Sequence, residues 1–102
     1  MLEENTEAVS ALLKSISHPI RLKILCMLRD GEMAVGDIRS AAGTTDANVS
    51  QHLSILRNQG IVRSRKQGNF IYNSIADGRV IELVDTLQNL FCKQKEAHHD
   101  GE

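Results

Sequence analysis

Residues 33 to 60 read "MAVGDIRSAAG" and then "TTDANVSQHLSILRNQG", two short apolar-striped runs divided by one glycine. Helices this short do not persist alone in water, so each must pack on something. The spacing predicts a short helix in the first run, with Val35 and Ile38 facing inward and Gly43 closing it. In the second run Thr44, Thr45 or Asp46 can cap a helix whose inner stripe is Val49, Leu53 and Leu56, and Gly60 ends it. From Ile61 to Arg65 apolar and polar residues alternate, a "KQGN" turn follows, and "FIYNSI" continues in strand-forming residues, which together read as a hairpin. Two short helices joined by a tight glycine turn and followed by a basic hairpin make a winged helix-turn-helix.

The flanking segments are helical. "TEAVSALLKSI" (6–16) places Ala8, Leu12 and Ile16 at steps of four with Val9 and Leu13 beside them. "SHPIRLKILCML" restarts a helix at Pro19 under a Ser17 or His18 cap, and "RDGE" ends it with Gly31 as the expected cap. From Gly78 to about Lys93, Val80, Leu83, Val84, Leu87, Leu90 and Phe91 form a long amphipathic helix. The predicted fold is mainly α with a small β-hairpin wing, in the order four helices, hairpin, helix. Residues 1–102 form one domain, and 94–102 are expected to be a disordered tail. One Tyr, two Phe and no Trp leave the core to aliphatic side chains. A chain this short has a marginal core unless it pairs with a second copy, and its first and last helices carry more apolar residues than a monomer covers, so a homodimer is expected.

The net charge of −1 argues at first against nucleic acid, but the charge is unevenly placed. No Asp or Glu falls between Ala47 and Ala76, where Arg57, Arg63, Arg65 and Lys66 stand, and the other residues hold eight basic and thirteen acidic side chains. A basic segment on an acidic body is the footprint of an anion-binding face. Ala47, Asn48, Ser50, Gln51 and His52 are expected to turn outward on the first turns of the second short helix, where they would meet base edges or phosphates of double-stranded DNA, with Arg57, Arg63, Arg65 and Lys66 on the backbone. A winged helix used only to dock proteins is the alternative. The acidic, polar start is no signal peptide, and no apolar run reaches membrane length, so a cytoplasmic place without membrane contact is expected.

Two thiols remain. On the second helix Ile20, Ile24, Met27 and Leu28 define the main stripe and Cys26 falls roughly opposite, beside Leu22; Cys92 lies at the flank of the last helix's stripe. A filler cysteine would sit in the stripe, so both thiols are free to face a second contact, which the last helix would provide by packing across the second. A thiol enzyme would need a low-pKa thiolate near a base or a helix N-terminus. Cys26 lies mid-helix and Cys92 near a C-terminal end, so no enzyme is expected.

"LLKSISHPIRLKILCML", "VGDI", "NVSQHLSILRNQGIV" and "GNFIYNSI" resemble the ArsR/SmtB family of bacterial dimeric repressors over about residues 8 to 92. The resemblance implies a homodimer joined through the first and last helices, reading an inverted-repeat operator with Ala47, Asn48, Ser50 and Gln51. The family's metal sites do not carry over. "MAVGD" lacks the Cys-x-Cys pattern, and the last-helix ligand positions resemble Asp77, Arg79, Leu90 and Lys93. No metal site and no cofactor are expected, with the tail pair His98 and His99 left as a solvated pair. "LKILCMLRDGE" and "LFCKQKEA" further resemble the two-cysteine branch, the BigR, SqrR and HlyU type. That likeness implies release of DNA when Cys26 and Cys92 are joined by an oxidant or reactive sulfur species. A metal-responsive or inducer-independent regulator with inert cysteines is the alternative.

Overall fold

The computed structural model describes residues 2–91, with side chains from residue 5 onward. In chain order its elements are α1 (Leu2–Ile16), α2 (Pro19–Leu28), β1 (Met33–Ala34), α3 (Val35–Ala42), α4 (Asp46–Asn58), β2 (Val62–Gln67), β3 (Phe70–Ile75) and α5 (Gly78–Phe91). Cys92, the 94–102 tail and the pair His98 and His99 lie outside the described residues.

Local chemistry sets most of the boundaries. His18 is extended and its Nδ1 accepts the Ile20 N–H at 3.1 Å, capping α2 ahead of Pro19 in the first turn. The Thr45 hydroxyl accepts the Asn48 N–H at 3.1 Å and so caps α4. Gly43 ends α3 at φ +74°, a left-handed conformation in which a side chain would be strained and its Cβ would lie 3.2 Å from Lys23 Nζ. Helix α2 stops at Leu28, earlier than the Gly31 cap predicts; Gly31 instead turns the chain beyond it.

The sheet is larger than the predicted hairpin. Strands β2 and β3 pair from Val62↔Ile75 to Gln67↔Phe70, leaving Gly68 and Asn69 as a two-residue loop. Positive φ at Gly68 and not at Asn69 is the pattern of a II′ turn, whose twist suits a hairpin. Met33 and Ala34, expected in the first turn of α3, pair with Asn73 and Tyr72 on the other edge of β3, giving the order β1-β3-β2. The free edge of β3 supplies backbone partners that this first turn could not, since Ala34 offers no side-chain cap.

All of this closes around α2, which contacts α1, α3, α4, α5 and β3. Its Ile24, Leu25 and Leu28 join Ile16 from α1, Ile38 and Ala42 from α3, Val49, Leu53 and Leu56 from α4, Ile75 from β3 and Val80 and Val84 from α5 in one core. Val9 and Leu13 on α1 and Ile81, Leu90 and Phe91 on α5 stay exposed. No helix among the described residues is long and apolar enough to cross a membrane.

Leu25 is fully buried among five neighbouring elements that cannot all collapse inward. Leu25→Ala should lower the unfolding free energy by about 2–5 kcal/mol, measured by urea titration; a loss under about 1 kcal/mol would show that α2 is not the centre of the core.

Candidate nucleic-acid interface

Helices α3 and α4, joined through Gly43, Thr44 and Thr45, form the helix-turn-helix, and the β2–β3 hairpin stands beside it as the wing. The core stripe of α4 decides which of its side chains remain available. Ala47 and Gln51 are exposed. Asn48 is half-buried, and its Nδ2 donates to the Thr44 hydroxyl at 3.0 Å. Ser50 is half-buried and accepts from Arg39 Nη2 at 3.0 Å.

His52 departs from expectation: it is only 7% exposed and faces inward. Its Nδ1 stands 3.1 Å from Arg21 Nη1, and its ring lies 4.2 Å, centroid to centroid, from that of His18. The cause is helical spacing. Positions 49, 52, 53 and 56 share one face, so His52 belongs to the stripe of Val49, Leu53 and Leu56. That spacing was the available signal, and counting histidine as a polar, outward residue hid it.

The wing is basic but not wholly free. Arg63 and Lys66 are exposed, and Arg57 at the end of α4 is exposed while donating to the Ser54 hydroxyl at 3.0 Å. Arg65 reaches across to Glu32, with Nε 3.0 Å from Oε2, and its guanidinium lies 4.8 Å over the Tyr72 ring. That hydrogen bond lowers the Glu32 pKa and raises that of Arg65. The sequence pattern missed Glu32, because the partners stand 33 residues apart.

Between α3, α4 and β3 lies a cleft with apolar walls and several hydrogen-bond donors. Val35 and Arg39 of α3, Ser50, Leu53, Ser54 and Arg57 of α4, and Ile71 and Asn73 of β3 line a space of about 160 Å³. Asn73 is 1% exposed and accepts from Ser64 Oγ at 2.7 Å, but its Nδ2 and Arg39 Nε are buried without a partner. Each unmet buried donor costs about 1–3 kcal/mol.

At the other end of the chain, Asp77 is held by Arg79, which donates to it through Nε at 3.0 Å and Nη2 at 2.6 Å; these bonds lower the Asp77 pKa. Among the described residues no cluster of three His, Cys, Asp or Glu side chains could hold a metal ion. Cys26 is partly buried and packs against the core. Arg29, the C-cap residue of α2 three positions beyond Cys26, donates to Asp85 of α5 at 3.3 Å, which ties the last helix to the end of α2.

A two-helix reading motif with a basic wing defines a DNA-binding regulator rather than an enzyme. The model of the bacterial regulatory proteins of the arsR family matches residues 18–64. The biofilm growth-associated repressor of Xylella fastidiosa is 35% identical over 94 residues, covering 92% of this chain and 82% of that one. The transcriptional activator HlyU of Vibrio cholerae is 34% identical over 92 residues, covering 90% and 85%. The structure of reduced HlyU from Vibrio cholerae N16961 superposes with a TM-score of 0.85 at 34% identity, over 89% of this chain and 96% of that one. The chain belongs to the arsR family of winged-helix transcriptional regulators, in the branch of these relatives.

The inward His52 makes stability depend on pH. Burial lowers its pKa from the ordinary 6.5, and the charges of His18 and Arg21 lower it further. The unfolded chain therefore binds a proton more readily than the folded one. This contribution is full above about pH 6.5 and is lost as pH falls through the lower folded value. Urea midpoints taken from about pH 7.5 down to about pH 5.5 should fall more steeply for the wild type than for His52→Gln. Parallel curves would mean that His52 carries no such linkage.

Proposed function

We propose that this chain is a cytoplasmic homodimeric transcriptional repressor whose hold on inverted-repeat DNA is released when Cys26 and Cys92 are bridged by an oxidant or by reactive sulfur. The switch is supported by the contact of α2 with α5 and by the Arg29–Asp85 bond three residues beyond the partly buried Cys26. Cys92 directly follows Phe91, the last residue of α5. The repressor reading is supported by the name of the Xylella relative, and dimerisation by the exposed Val9, Leu13, Leu90 and Phe91 on the two helices left without a full partner. In the dimer two copies of α4 would stand about one DNA turn apart, ~34 Å, to enter successive major grooves. Gln51 would read bases, with Ala47, Asn48 and Ser50 beside it, and Arg57, Arg63 and Lys66 would hold phosphates.

The chemistry balances simply. A disulfide takes two electrons and two protons from the thiols, and a peroxide or a sulfane sulfur receives them. Because α5 would belong both to the bridge and to the dimer interface, closing the bridge would turn one reading head against the other.

The deciding experiment treats the full chain with a persulfide donor, with peroxide and with zinc, and follows DNA binding, mass and oligomeric state together. Persulfide should release DNA and link the two cysteines within one chain of a dimer, and Cys26→Ser or Cys92→Ser should each keep repression and abolish release. Release from the Ser variants, or release of the native protein by zinc alone, would refute the switch and leave an inducer-independent or metal-responsive regulator.

Glu32 supplies a second test. Its carboxylate competes with phosphate for Arg65, so Glu32→Gln should tighten binding to any duplex and steepen its salt dependence by up to about one phosphate contact. Unchanged salt dependence would mean that Arg65 does not reach the backbone.

A further inference from the structure

The cleft between α3, α4 and β3 holds donors and no acid. Arg39 Nε and Asn73 Nδ2 are buried without partners, the hydroxyls of Ser50 and Ser54 stand alongside, and Arg57 lies at the exposed side. None of the lining residues is acidic. Val35, Leu53 and Ile71 give the cleft apolar walls, and two guanidinium groups, an amide N–H and two hydroxyls along it, with no carboxylate, match the chemistry of an oxyanion rather than a cation. The volume of about 160 Å³ exceeds the ~30 Å³ share of one water several times, so the cleft has room for a tetrahedral oxyanion beside the two orphan donors.

Place in the fold narrows the source of the oxyanion. One wall is the recognition helix, through Ser50, Ser54 and Arg57, and the other is the wing strand, through Ile71 and Asn73. A duplex that takes α4 into its major groove and meets the wing beside it must pass a backbone strand between them. We infer that this cleft seats one backbone phosphate of the bound duplex, with Arg39 and Asn73 as its inner donors and Arg57 as its outer one. The inference rests on the DNA-binding reading and deepens it. Arg39 is the residue it adds, since it lies on α3, outside the basic segment from residue 47 to 76. It also gives a reason for a buried asparagine at the centre of the wing: an apolar residue there would leave Arg39 facing the oxyanion without a second donor.

Two measurements on the full chain test it. In the first, side-chain NMR signals of Arg39 Nε–H and Asn73 NH2 are followed while inorganic phosphate is added at constant ionic strength. Saturable shifts at these two groups are expected, and their absence would overturn the seat and leave the cleft to water. In the second, binding to a random-sequence duplex is measured against salt for the wild type, Arg39→Gln and the near-isosteric Asn73→Asp, with thermal unfolding as the check on folding. Arg39→Gln should weaken binding about tenfold or more and make the salt slope shallower by about one. Asn73→Asp should lose at least as much, because its carboxylate repels phosphate. If phosphate shifts both signals while the folded variants keep wild-type affinity and slope, the cleft takes a free oxyanion and the DNA seat is overturned. If the wild type binds no duplex yet phosphate still titrates both groups, the DNA-binding reading fails and the seat for DNA falls with it, while the oxyanion site stands.

Discussion

The fold depends on burying most of the circumference of one helix, which meets solvent chiefly through Lys23. Helix α2 is ten residues long, and four other helices or strands besides α1 pack on it. Ile24 and Leu25 are wholly inaccessible, and Leu22, Cys26 and Met27 fill most of the remaining circumference against the same core. A chain of this size buries a smaller share of its surface than a larger domain does, so stability concentrates where contacts overlap, and here they overlap on α2. Any displacement of an outer element is therefore felt at α2, including the crossing of α5 that the proposed thiol bridge would lock.

Polar groups extend that dependence to the recognition helix. Arg21 near the start of α2 donates through Nε to the Ser15 carbonyl at the end of α1 and lies beside His52 Nδ1 on α4. One guanidinium thus ties three helices. An aliphatic residue at position 52 would complete the stripe of α4 but would leave Arg21 short of an acceptor inside the protein. A neutral imidazole supplies both packing surface and a lone pair. The lowered His52 pKa follows from the same arrangement, because a charged ring would be buried against a cation.

Much of this was legible in the sequence, for local reasons. Gly43, Gly60, Pro19 and the Thr45 cap mark boundaries through backbone conformation and the next few residues, and the helix, turn and hairpin order follows from them. What was not legible depends on distant partners. β1 has two residues, too few for a pattern, and exists because β3 has a free edge. Leu25 lies outside the stripe predicted for α2 because periodicity carries little information in a helix whose packing reaches most of its circumference. The Arg65–Glu32 pair and the donor-lined cleft each join residues from separate elements, and no spacing along the chain announces either.

The available DNA-facing chemistry is sparse. On α4 only Gln51 among the expected reading residues is an exposed polar side chain, since Asn48 and Ser50 are half-buried and engaged by Thr44 and Arg39. One good base contact gives about 1–3 kcal/mol of discrimination, too little to pick an operator from a genome. In the proposed dimer, affinity would come from phosphates and selectivity from geometry, because two weakly reading heads would have to meet two half-sites at a set separation. Such a dimer would be sensitive to small rotations at its interface. Losing about 3 kcal/mol when the separation is wrong lowers affinity more than a hundredfold. The exposed apolar edges of α1 and α5 are the surfaces on which that separation would be set. The proposed Cys26–Cys92 bridge would join α2 to the end of α5 and so act on the spacing of the heads without touching any residue proposed to read DNA.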